Sequence, residues 1–219
     1  MKGILSLLRR NTRAGKPTED HTDSVLFSTA FAGQGVDASM LVPWEARAVE
    51  VGAKRLPISR GGKLLQALWA KDKYMVHLDK DAVERMERFF EFAAIPANRD
   101  VIRQDEYGNF MVVLLTGTIA VDRVQPWGEQ LRLAETRPGD ILGEMSLLDS
   151  GIRFSACTTL TDCEIAVLSA KAMDDMMTKD PQLAASLIAL LARKLSLRLA
   201  ERQPEMTPVL QTKPPRKDL

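Results

Sequence analysis

The sequence predicts an α+β protein: an antiparallel, jelly-roll-like β-roll with helices before it and one long helix after it. Three observations predict this. Apolar residues recur at helical spacing before Pro96, alternate with a period of two between Asp100 and Ser169, and return to helical spacing afterwards. Tight-turn signals punctuate the alternating stretch at Tyr107-Gly108-Asn109, Gly117, Pro126-Trp127-Gly128 and Pro138-Gly139-Asp140. The 219 residues are 45% hydrophobic and 27% charged, a composition able to bury one core with extensions around it.

The elements follow in order. Residues 1–62 form an extension that is irregular or partly disordered, rich in Pro, Gly, Ser, Thr and Asp from residue 17, with one short helix over 43–51. Gly61-Gly62-Lys63 lacks the preceding strand and the following Ser or Thr of a phosphate loop, so it is set aside. The ordered domain spans 63–201. It opens with Leu64, Leu65, Leu68 and Trp69, then Val83, Met86, Phe89, Phe90 and Ala93, at helical spacing that Pro96 stops. Strands are expected at 100–104, 109–115, 117–124, 129–135 and 155–168. A helix carrying Met173, Met176 and Met177 comes next, and Pro181 suits the first turn of another. Along 182–201, leucine or isoleucine stands at 183, 187, 188, 190, 191, 195, 197 and 199. That stripe is broad enough for one face on the roll and another on a second copy, so a homodimer is expected there. Residues 202–219, with four prolines, read as a flexible tail.

Several function classes are disfavoured. A net charge of +1 gives no global field for nucleic acid. No apolar run reaches the ~18 residues of a membrane span, and the start lacks a long apolar core with a small-residue cleavage site. Residues 1–16 carry Lys2, Arg9, Arg10, Arg13 and Lys16 and no acid, a basic patch that could touch an anionic membrane, although a frayed, solvated terminus is the preferred reading. Cys157 and Cys163 read as buried free thiols of a cytoplasmic protein. His21 and His77 make no metal cluster with them, and no nucleophile–base pair suggests an enzyme.

The stretch GDILGEMSLLDSGIRFSA, residues 139–156, concentrates the chemistry. Gly143-Glu144-Met145-Ser146-Leu147-Leu148 suits one helical turn at the end of a strand, its free amides attracting an anion. Met145, Leu147 and Leu148 would anchor that turn. Arg153 brings a fixed fork suited to phosphate oxygens. Glu144 would repel the same phosphate, and a sugar hydroxyl is its natural partner. Phosphate, hydroxyl and an apolar wall together specify a nucleotide.

Residues 100–201 resemble a cyclic nucleotide-binding domain of the kind found in the catabolite activator protein and in protein kinase A regulatory subunits. The resemblance rests on LLTGTIAV, PGDILGEMSLL, the arginine that follows, and CEIAVLS ahead of two helices. It implies that Gly143 and Glu144 bind the ribose 2′-hydroxyl, that Met145 and Ser146 offer amides to the phosphate, and that Arg153 pairs with the cyclic phosphate. Phe154 and Ser155 come next. The family usually has a small residue directly after the arginine, and often proline before it; Phe154 and Ile152 depart from that, which implies weaker or retuned binding. In this family the last long helix closes over the base. Counting from Arg153 puts Lys194, Leu195, Arg198 and Leu199 nearest, and Arg198 would stack on the base or bond its edge unless it is a plain solvated charge. The implied function is a non-catalytic sensor of cAMP, or else cGMP, with no cofactor or metal, signalling to an unidentified partner protein by movement of the C-terminal helix. Direct DNA binding is not expected, because only about 18 residues follow that helix where activators carry a helix-turn-helix. A c-di-GMP effector and a ligand-free interaction module are the alternatives.

Overall fold

The computed structural model describes residues 26–72 and 78–211. The basic stretch 1–16, His21 and His77 lie outside the described residues.

The alternating residues build two antiparallel sheets. One runs β1 (Lys54–Arg55), β2 (Glu91–Ile95), β9 (Cys163–Ser169), β4 (Phe110–Thr116), β7 (Ile141–Leu142) in spatial order. The other runs β3 (Asp100–Ile102), β8 (Ala156–Thr159), β5 (Ile119–Val124), β6 (Gln130–Glu135). Strand β4 explains why one chain makes two cores. Its side chains alternate across the sheet, so Phe110, Val112 and Leu114 enter the core between the sheets. Met111, Val113 and Leu115 enter a second core under the helices. Both faces are covered, which is why the strand reads as a continuous apolar run.

The helices are α1 (Leu26–Gly33), α2 (Trp44–Glu50), α3 (Ile58–Trp69), α4 (Lys80–Met86), α5 (Glu144–Asp149), α6 (Ala170–Lys179) and α7 (Pro181–Gln211). Ser169 ends β9 and caps α6, its Oγ accepting from the Ala172 amide at 3.1 Å. In α7, Leu183, Leu187, Leu190 and Leu191 are buried against the domain itself, whereas Leu199 is 60% exposed. No helix among the described residues is long and apolar enough to cross a membrane.

Four details differ from the sequence reading. Residues 91–95, expected to be helical, form β2: Phe92 faces the helical core while Ala93 and Ile95 face the inter-sheet core, and five residues pair with β9. Pro96 therefore closes a strand. The segment expected at 155–168 is two strands, β8 and β9, separated by Leu160–Asp162. The short helix expected at 43–51 is α2, but the extension holds more order than its composition suggests. The buried Asp174 carboxylate of α6 accepts from the Phe27 and Ser28 amides, both at 2.8 Å, fixing the start of α1. Helix α3 begins at Ile58 and contains Gly61 and Gly62, where a Cβ would lie 2.3 Å from the Phe92 ring and from the Glu87 carboxylate respectively; the two glycines permit close packing. Finally, α7 continues past residue 201 to Gln211, through Pro204 and Pro208. Each proline removes one backbone donor, while the Glu, Arg and Gln around them favour helix.

Cys157 and Cys163 are buried free thiols, as expected. Burial pushes the Cys157 thiol up to about 12, so it stays protonated and unreactive.

Candidate functional site

The residues singled out from sequence meet at one end of the roll. After the turn at Gly139, β7 ends at Gly143, whose φ of 73° is the left-handed conformation that breaks the strand into α5. Side chains in α5 divide by helical position. Leu147 is fully buried and Glu144 and Ser146 nearly so, at 6% and 3% exposed. Met145, expected to anchor the turn, points outward and is 51% exposed; it lies about 100° round the helix from Glu144. Leu147 holds the turn, with Leu148 packed partly behind it.

Arg153 lies beneath α5, 3% exposed. Its Nη1 donates to the Gly143 carbonyl at 2.8 Å and to Ser146 Oγ at 2.6 Å; its Nη2 donates to the Phe110 carbonyl at 2.6 Å. The guanidinium also stacks 4.7 Å from the Phe110 ring centroid. These partners are all neutral, and Arg153 forms no salt bridge among the described residues. Burial of an uncompensated cation lowers its pKa from 12.5 to about 10. Three of its five N–H groups are engaged, which leaves Nε and one hydrogen of Nη2 on a single edge. That edge faces Gly108, where a Cβ would lie 2.7 Å from both nitrogens. A side chain there would cover the free edge.

Glu144 is not paired with Arg153. Its Oε1 accepts from Arg198 Nη1 of α7 at 2.6 Å, and Arg198 Nη2 also donates to the Ile141 carbonyl at 3.3 Å. Burial raises the Glu144 carboxyl above its ordinary value, opposed by the positive charges of Arg198, Lys194 and Arg153. One turn back on α7, Lys194 Nζ bonds Asp72 Oδ2 at 3.1 Å and the Gly139 carbonyl at 3.4 Å. Lys194 and Arg198 thus face the stretch that carries Gly139 and Glu144, while Leu199 is exposed.

Phe154 is 54% exposed, with the Arg123 guanidinium of β5 stacked 4.0 Å from its ring centroid. Arg123 also donates to the Phe154 carbonyl. Ser155 is half-buried just ahead of β8.

The N-terminal extension braces the same site. Arg153 N donates to the Glu106 carbonyl at 2.8 Å, and Val42 N to the Tyr107 carbonyl at 2.8 Å. Trp44 packs edge-on against Phe110 with centroids 5.6 Å apart, and the buried Arg47 pairs with Glu50 and Glu106. Sequence reasoning missed Gly108, Phe110 and Arg123 as neighbours of the site. Gly108 carried a signal, a glycine in a turn, but nothing local said what passes over it.

Residues 93–180 match the family model described as the cyclic nucleotide-binding domain. Over those residues the chain is similar to the cyclic nucleotide-binding domain family. The match contains Glu144 and Arg153 and stops short of α7. A cyclic AMP receptor protein from Thermus thermophilus is 29% identical over 118 residues, 54% of this chain and 55% of the relative. The chain therefore spans about half the length of that regulator. Neuropathy target esterase sws from Drosophila virilis is 22% identical over 205 residues, which is 89% of this chain and 14% of the esterase. A solved cyclic nucleotide-binding domain from Methylobacillus flagellatus has the same fold, with a TM-score of 0.64 and 20% identity over 76% of this chain and 92% of that one.

Proposed function

We propose that the domain binds a cyclic mononucleotide, cAMP or cGMP, and acts as a non-catalytic sensor. Arg153 takes the cyclic phosphate, with the Met145 and Ser146 amides beside it. Glu144 takes the ribose 2′-hydroxyl at the Gly143 turn, and the α7 residues Lys194 and Arg198 stand over the remaining opening. Phe154 and Ser155 border the phosphate. One observation carries this reading: a buried guanidinium held by neutral acceptors, with its Nε–Nη2 edge turned to a glycine, beside a buried carboxylate bonded elsewhere. A structural ion pair would have joined the two; an anion site keeps them apart. The Thermus relative, named a cyclic AMP receptor protein, favours cAMP over cGMP.

The output passes to a partner protein through ligand-driven movement of α7, in the cytoplasm, from a homodimer joined along residues 182–201. Leu195, Leu197 and Leu199, none of them buried, supply the apolar face for that contact.

Isothermal titration with cAMP, cGMP and c-di-GMP tests the reading, with Glu144→Ala and Arg153→Ala as controls. Saturable heat with cAMP or cGMP, lost in both variants, is the expected outcome. Binding of c-di-GMP alone would replace the ligand class, and no heat with any of the three would leave an interaction module.

A further inference from the structure

We infer that Arg198 is an internal competitor for the nucleotide: its guanidinium holds Oε1 of the Glu144 carboxylate, the group a ribose hydroxyl would take, and a ligand that claims that oxygen displaces Arg198 and releases the end of α7. This rests on the cyclic-nucleotide reading of the same site.

The contact has the form of a latch. Glu144 is the fixed partner, its side chain 7% exposed, and Arg198 is the movable one, 40% exposed. A guanidinium is the stronger hydrogen-bond partner for a carboxylate, so a neutral hydroxyl replaces it at a loss. The compensating gain is the anion arriving on Arg153, a group whose contacts are otherwise all neutral. The helix is also divided in the right place. Its first turns are held by buried Leu183, Leu187, Leu190 and Leu191, whereas Leu195, Leu197 and Leu199 are not buried. Beyond Leu191, Lys194 bonds Asp72 and the Gly139 carbonyl, and Arg198 bonds Glu144 and the Ile141 carbonyl. Losing the Arg198 anchor frees the distal part of α7 and leaves the proximal part docked.

The proposal has a sign opposite to that of a base-contacting arginine. If Arg198 held the base, Arg198→Ala would weaken binding. As a competitor, its removal tightens binding, by about two- to fivefold for a partly exposed pair.

Two measurements on the full chain test this: amide hydrogen exchange over residues 192–211 without nucleotide, and titration with cAMP, cGMP and 2′-deoxy-cAMP. Arg198→Ala is expected to speed exchange in that segment several-fold without nucleotide, to the level the wild type reaches when saturated, and to tighten cAMP or cGMP binding. Lys194→Ala, which loosens the helix without emptying Glu144, is expected to speed exchange with less gain in affinity. 2′-Deoxy-cAMP, lacking the competing hydroxyl, is expected to leave α7 protected in the wild type. Unchanged exchange in Arg198→Ala, or weaker nucleotide binding by it, would overturn the latch. Faster exchange combined with no binding of either cyclic nucleotide would keep the latch as a conformational contact and overturn the nucleotide reading instead.

Discussion

Replacing Arg153 by glutamine separates a binding guanidinium from a structural one. The fall of its pKa from 12.5 to about 10 corresponds to ~3 kcal/mol by which burial disfavours the charge. Glutamine relieves that burden. Against it stand the Gly143 and Phe110 carbonyls, which lose donors at 2.8 and 2.6 Å. Each orphaned buried acceptor costs about 1–3 kcal/mol, while Ser146 can rotate to another partner. The two effects nearly offset, so the variant should lose only ~1–2 kcal/mol of stability, or roughly 2–8 °C in Tm. Binding should suffer far more. Two charge-assisted bonds to a phosphate are together worth at least about 3 kcal/mol, or about 150-fold in Kd. At a nucleotide concentration of ~100 Kd the wild type gains about 2.7 kcal/mol, and the variant should gain only ~0.3 kcal/mol. Differential scanning fluorimetry with and without cAMP and cGMP reads both quantities. A variant that keeps the full ligand-induced rise in Tm, or one that loses more than about 5 kcal/mol without ligand, would refute the argument.

Four further outcomes are expected. Glu144 has its folded pKa raised above 4.5, so the fold favours the protonated form. The stability of the wild type relative to Glu144→Gln should therefore be greatest below that value and decline as pH rises through the folded carboxyl's range, measured by urea unfolding from pH 4 to 8; a flat or rising difference refutes it. Gly108→Ala puts a Cβ 2.7 Å from Arg153 Nε and Nη2, and should cost at least about tenfold in nucleotide affinity by titration. Phe154→Ser removes a 54% exposed ring stacked on Arg123, so it should cost less than ~1 kcal/mol of stability while tightening nucleotide binding through an added hydroxyl beside Arg153. Asp174→Ala strips three acceptor contacts from the start of α1 and should destabilise by about 1.5–3 kcal/mol in urea.

Much of this protein was legible because the signals are local. Strand β4 is a short apolar run of seven residues bounded by turns, and those turns carry their own Gly, Pro and Asn. The stretch 139–156 was legible for the same reason: Gly143, Glu144, Ser146 and Arg153 sit within eleven residues, and the resemblance of that stretch to a known family gave them their expected roles. Met145 was misread because an apolar residue in a short turn does not reveal which way it points. The extension was misread because what orders α1 is Asp174, some 147 residues away in sequence, and composition carries no trace of such a partner. β2 was misread because Phe89, Phe90 and Ala93 fit a helical period until pairing with β9 imposes the other one.

By itself, then, the sequence determined the roll, the long helix behind it, and a carboxylate and a guanidinium nine residues apart between two strands; short-range periodicity and turn chemistry suffice for these. Only the tertiary structure decided what each charge touches. Arg153 turns inward to carbonyls of β4 and of the α5 turn, and Glu144 turns to an arginine 54 residues later. Such pairings depend on how α7 lies across the roll, and that is set by apolar burial summed over many distant residues.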